Sequence, residues 1–91
     1  MYKIEFANTA SKELARISRQ NAKFYQRLIF VIDSLSRDPF QGKPLKGHLQ
    51  GDFSLRVWDY RIIYSIHKDK LIVYIIDVGH RREVYRKKIS V

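Results

Sequence analysis

Apolar and polar positions alternate in "YKIEF" at the start of the chain, so residues 2–6 read as a short strand. The period then lengthens. In "ANTASKELARIS" the apolar residues Ala10, Leu14 and Ile17 recur at three- and four-residue spacing, and Asn8 or Thr9 stands where a cap belongs, which predicts a helix over 8–18. "RQNAKFYQRLIFVIDSLSRDP" predicts a second helix. Its stripe is Ala22, Tyr25, Leu28, Ile29, Ile32 and Leu35, with Lys23, Gln26, Arg27 and Ser34 opposite. Pro39 cannot continue that helix, and Asp38 before it is biased to extended backbone. A short link around Ser18–Gln20 predicts an antiparallel helix pair. "FQGKPLKGHLQGD" reads as a loop on its glycines and Pro44. "FSLRVW", "YRIIYSI" and "KLIVYIIDV" then read as three strands, broken at Asp59 and at "HKDK", and such short links favour antiparallel hairpins. The order is β-α-α-β-β-β. It predicts one α+β domain over residues 1–91, with two N-terminal helices packed on one face of a small, mainly antiparallel twisted sheet.

Alternation also predicts which side chains face away from the helices. Leu55 and Val57 suit the core, so Ser54, Arg56 and Trp58 are expected on the far side. Arginine is rarely buried without a partner, which places Arg61, with Ile63 and Ser65, on that far side too. The end of the last strand is expected to bring His80, Arg81 and Tyr85 close by, making a concave basic patch on rigid elements.

Composition narrows the class. The chain has 91 residues, 45% apolar with twelve aromatics, enough for a packed core and too short for a second one. It has no cysteine, which removes disulfides and thiolate metal sites and favours a reducing, cytoplasmic setting. The longest apolar run, "LIVYII", falls far short of the ~20 residues that span a bilayer, and "MYKIEFANTA" lacks a signal-peptide core, so no membrane role is expected. Charge is the feature that points to a partner. Eighteen Lys and Arg against nine Asp and Glu leave a net +9, which suits a polyanion such as nucleic acid, or an acidic protein. Five of those cations fall between Arg81 and Lys88.

A basic patch of this kind can hold a phosphodiester. When an RNA 2′-hydroxyl attacks its neighbouring phosphorus, charge builds on the nonbridging oxygens, and arginine forks can contact two of them at once. One group must take the 2′ proton and another must give a proton to the leaving 5′ oxygen. His80 titrates near working pH and suits either role. Tyr85, with arginines around it, could serve as a base or stack on a nucleobase. Each residue has a plainer reading: a solvated strand face for Arg56 and Arg61, a strand-end hydrogen bond for His80, an aromatic folded onto the core for Tyr85. Lys43 and Lys46 flank Pro44 in the long loop, where they either touch phosphate or stay solvated. Arg86, Lys87 and Lys88 add general phosphate attraction. His48 and His67 read as surface residues. Three scattered histidines without cysteine argue against zinc. The absence of a carboxylate cluster argues against a two-metal nuclease, and no phosphate-binding glycine loop is present, so no cofactor is expected.

Over nearly its whole length the chain resembles the RelE/ParE superfamily of bacterial and archaeal toxins. The resemblance rests on "FANTASKELARI", "DPFQGKPLKG" and above all "LRVWDYRIIY" followed by "VGHRREVY". For the RelE branch it implies ribosome-dependent cleavage of messenger RNA without a metal, leaving a 2′,3′-cyclic phosphate. It assigns phosphate stabilisation to Arg61 and Arg81, a base or stacking role to Tyr85, and phosphate contact to Arg56; Arg82, Lys43 and Lys46 are expected beside these as further RNA contacts on their charge and place in the chain. Ser54 and His80 stand where well-known members carry lysines, so His80 is the expected substitute in proton transfer. The ParE branch shares the fold and implies inhibition of DNA gyrase with no bond cut. Both branches imply an acidic RelB-like antitoxin that covers the basic site and carries the complex to operator DNA. The RelE reading adds messenger and ribosomal RNA as partners.

Overall fold

A computed structural model of the chain describes residues 1–80. Strand β1 (Lys3–Phe6) leads into helices α1 (Asn8–Gln20) and α2 (Ala22–Ser34). A short strand β2 (Lys43–Pro44) then precedes β3 (Asp52–Val57), β4 (Tyr60–His67) and β5 (Ile72–His80). The sheet order is β1-β5-β4-β3-β2, with β1 parallel to β5 and all other pairs antiparallel. The α+β arrangement matches the expectation, with β2 as an addition inside the segment expected to be all loop.

One core joins the helices to the sheet. Ala10, Leu14 and Ile17 of α1 meet Phe24, Leu28 and Ile32 of α2, Leu35 beyond it, and Val57, Ile62, Tyr64, Val73, Ile75 and Val78 of the sheet. Fully burying each Leu, Ile or Val contributes ~1.5–3 kcal/mol before the entropic cost. The buried α1 stripe is the expected one. The α2 stripe differs, because Phe24 is buried and Ala22 is exposed. Two capping expectations also change. Ala7, with no side-chain bond, precedes α1 in place of an Asn8 or Thr9 cap. The helices are separated by Asn21 alone, whose Oδ1 accepts the Phe24 N–H at 3.1 Å.

Two local features set the geometry of the sheet's far face. Tyr64, fully buried, donates its hydroxyl to the Pro39 carbonyl at 2.8 Å and accepts the Gly42 N–H at 2.9 Å. Burial pushes its pKa above the ordinary tyrosine value of 10.0. These bonds tie the loop to the sheet where β2 begins. Gly42 fits because a Cβ there would lie 2.6 Å from that hydroxyl and 3.0 Å from the Ser54 carbonyl oxygen. The second feature is a bulge in β5. Tyr64 faces Ile75 and Ile63 faces Asp77, so Ile76 is the extra residue. Beyond it the inward set shifts from Val73 and Ile75 to Val78.

Candidate functional site

The β3–β4 hairpin places Arg56 directly opposite Arg61, and Ser54 opposite Ile63. Continuing the rows, β5 adds Gly79 beside Arg61 and Asp77 beside Ile63, while β2 adds Lys43 beside Ser54. All of these lie on the face away from the helices, because Val57, Ile62 and Tyr64 take the other. Two like charges in register repel unless something answers them. None of the three ion pairs among the described residues involves Arg56 or Arg61. The Nη1 of Arg61 is buried with no hydrogen-bond acceptor among the described residues. Such an orphaned charged donor costs about 1–3 kcal/mol or more.

Arg56 and Arg61 border a cleft of about 400 Å³, whose other walls include Gln41, Lys43, Leu45 and Ser54. The cleft therefore holds three cations, and Ser54 adds a small hydroxyl where a larger side chain would fill space. The Arg56 Nε donates to the Trp58 carbonyl at 2.8 Å, which fixes that guanidinium at the hairpin end of the row. No group of three histidine, aspartate or glutamate side chains suited to a metal occurs among the described residues. The chemistry available in this cleft is charge neutralisation of an anion with two or more exposed oxygens.

The structure brings Arg56 and Arg61 together on the far face as expected, and adds Lys43, read in the sequence as a loop residue, through β2. Lys46 lies past β2, exposed, and outside the cleft lining. His80 is a correction. Alternation without a bulge would have put it beside the arginines. The extra residue Ile76 reverses the phase of β5, so His80 pairs with Tyr60 on the helix side, its ring 6.2 Å edge-on from that tyrosine. Trp58 is a second correction: it lies in the β3–β4 turn and stacks on Phe24 of α2 at 5.0 Å instead of facing away from the helices. Arg81, Arg82 and Tyr85 lie outside the described residues. Sequence reasoning missed Gln41 and Leu45. The signal for them was the spacing of Gly42 and Tyr64, whose contact folds this loop over the edge of the face.

Residues 4–85 match the family described as ParE toxin of the type II toxin–antitoxin system, parDE. The chain belongs to that toxin family. Its likeness to toxins under the RelE name is as extensive. It is 34% identical over 87 residues to toxin RelG of Mycobacterium tuberculosis, covering 94% of this chain and 98% of that one. Among solved structures it is similar to a chain in the RelBE2 toxin–antitoxin complex of Mycobacterium tuberculosis, with a TM-score of 0.78, 33% identity and coverage of 88% and 98%. The YoeB/ParE toxin of Agrobacterium tumefaciens superposes with a TM-score of 0.79 at 21% identity, covering 87% of this chain and 98% of that one, and shares the fold. The toxin is thus a member of a type II system. No helix among its described residues is long and apolar enough to cross a membrane.

Proposed function

We propose that this toxin cleaves messenger RNA on the ribosome, using the Arg56–Arg61 cleft to hold the scissile phosphate. The observation that carries this reading is the in-register arginine pair with a buried, unanswered guanidinium nitrogen. A free protein gains nothing from that arrangement, whereas a phosphate would neutralise both charges. In the reaction the 2′ oxygen bonds to phosphorus, the bond to the 5′ oxygen breaks, and a 2′,3′-cyclic phosphate forms. A base takes the 2′ proton and an acid supplies one to the 5′ oxygen, so the balance needs no metal. Arg61 and Arg56 would bind the nonbridging oxygens, and Lys43 a flanking phosphate. Arg81 and Arg82 are proposed as further phosphate contacts, and Tyr85 as base or stacker. His80, on the helix side, has no role in the reaction under this proposal.

The partner in this reading is an acidic RelB-like antitoxin that shields the +9 chain and links it to operator DNA. Messenger and ribosomal RNA are the targets in a cytoplasmic setting. Relatives named RelG, RelE and YoeB support the nuclease branch. The ParE name of the family supports gyrase inhibition as the competing reading. Purified toxin added to programmed ribosomes in EDTA is expected to yield messages cut at the decoding site with cyclic phosphate ends. Intact message together with loss of gyrase supercoiling would establish the competing reading.

A further inference from the structure

Trp58 occupies the first central position of the two-residue turn joining Val57 to Tyr60. Its φ is 56°, a backbone region that bulky side chains rarely adopt. A glycine is the usual choice at such a position. The turn instead holds the only tryptophan of the chain, 64% exposed. Its inner ring face stacks on Phe24 at 5.0 Å with the planes 13° apart. Phe24 is itself held edge-on by Tyr60 at 4.9 Å. The indole therefore rests on a braced aromatic base and turns its outer face to solvent. Its own carbonyl accepts Arg56 Nε, so the ring and the arginine pair are coupled through one residue of backbone.

We propose that Trp58 is a stacking platform for an unpaired RNA base, one that flanks the nucleotide held in the cleft. The inference rests on the RNA reading above and adds a specific contact to it. Every base has a π-face, so an aromatic surface beside phosphate-binding cations grips single strands with little sequence preference. The turn lies one residue pair beyond Arg56 and Arg61, so a strand held by its phosphate in the cleft reaches the indole by passing over the hairpin end to the side where the ring rests on Phe24. A protein partner is less well matched, because the surface is a single ring and not an extended apolar face, with Arg56 bonded to the Trp58 carbonyl.

The experiment uses the full-length toxin and a short single-stranded oligoribonucleotide with 2′-O-methyl groups, which binds and cannot be cut. As the only tryptophan, Trp58 reports stacking by quenching of its own fluorescence, while anisotropy of a dye on the RNA reports binding separately. Binding accompanied by saturable quenching is expected. Trp58→Ala should weaken binding about tenfold, with Trp58→Phe retaining most of the affinity because it keeps a ring on Phe24. Circular dichroism of each variant checks the fold, and the wild-type quenching stands without either variant. Binding without quenching, or an unchanged affinity in folded Trp58→Ala, overturns the platform and leaves the RNA reading intact. No binding at all overturns the platform, while the RNA reading stands or falls on the programmed-ribosome assay. Quenching by polyglutamate but not by RNA assigns the ring to an acidic protein partner and also overturns the proposal.

Discussion

Arg61 sits where a stable protein would not choose an arginine: opposite Arg56, with Nη1 buried and without an acceptor among the described residues. Replacing it by methionine keeps the alkyl stem and removes both the repulsion and the orphaned donor. Arg61→Met is expected to raise unfolding stability by about 1 kcal/mol in urea titration while lowering activity. A loss of stability would mean that the guanidinium is already answered in the free protein. The outward facing of Arg56 and Arg61 was legible because strand alternation and the reluctance of arginine to be buried agree. The position of Trp58 was not. A tryptophan with positive φ breaks the usual chemistry of a two-residue turn, and only its contact with Phe24, 34 positions away along the chain, shows where the ring goes.

At the scale of elements, the strands and helices were readable from periodicity, but the joints between them were not. The bulge at Ile76 leaves no mark in "LIVYIID", since apolar residues stand on both faces of the strand. That one inserted residue is why His80 falls beside Tyr60 and not beside Arg61. The helix link was misplaced because Ser18 and Gln20 look as permissive as Asn21, and only the Asn21 cap bond distinguishes them. Asn21→Ala should cost ~1 kcal/mol, measured by thermal unfolding. The loop anchor gives a larger effect. Tyr64→Phe leaves the Gly42 N–H and the Pro39 carbonyl without their buried partner, at a cost of about 1–3 kcal/mol. The anchor also predicts a pH dependence. Because burial raises the Tyr64 pKa above its unfolded value of 10.0, the neutral phenol's contribution is intact below that pH. It is lost as pH climbs through the higher folded value. Unfolding curves of Tyr64→Phe should therefore decline less steeply above pH 10 than those of the wild type.

For the whole molecule, the +9 charge predicted a polyanionic or acidic partner without saying where it binds. The proposed place is a cleft on the sheet face opposite the helices, where three cations from β2, β3 and β4 converge. Affinity for single-stranded RNA should fall steeply with salt. Removing Arg56, Arg61 and Lys43 together should flatten the log–log salt slope by about 1.4, near 0.7 for each of the two phosphates they would hold. An unchanged slope would place RNA elsewhere on the chain. The proposed RelE-like activity could be reached only through family resemblance, since arginine pairs on basic proteins serve many ends. The most direct measurement of the central claim is the single-turnover cleavage rate of Arg61→Ala on programmed ribosomes, beside wild type. The account predicts a fall of about 100-fold or more with an unchanged circular dichroism spectrum, as for removal of one transition-state donor. Cleavage by folded Arg61→Ala at the wild-type rate would contradict it.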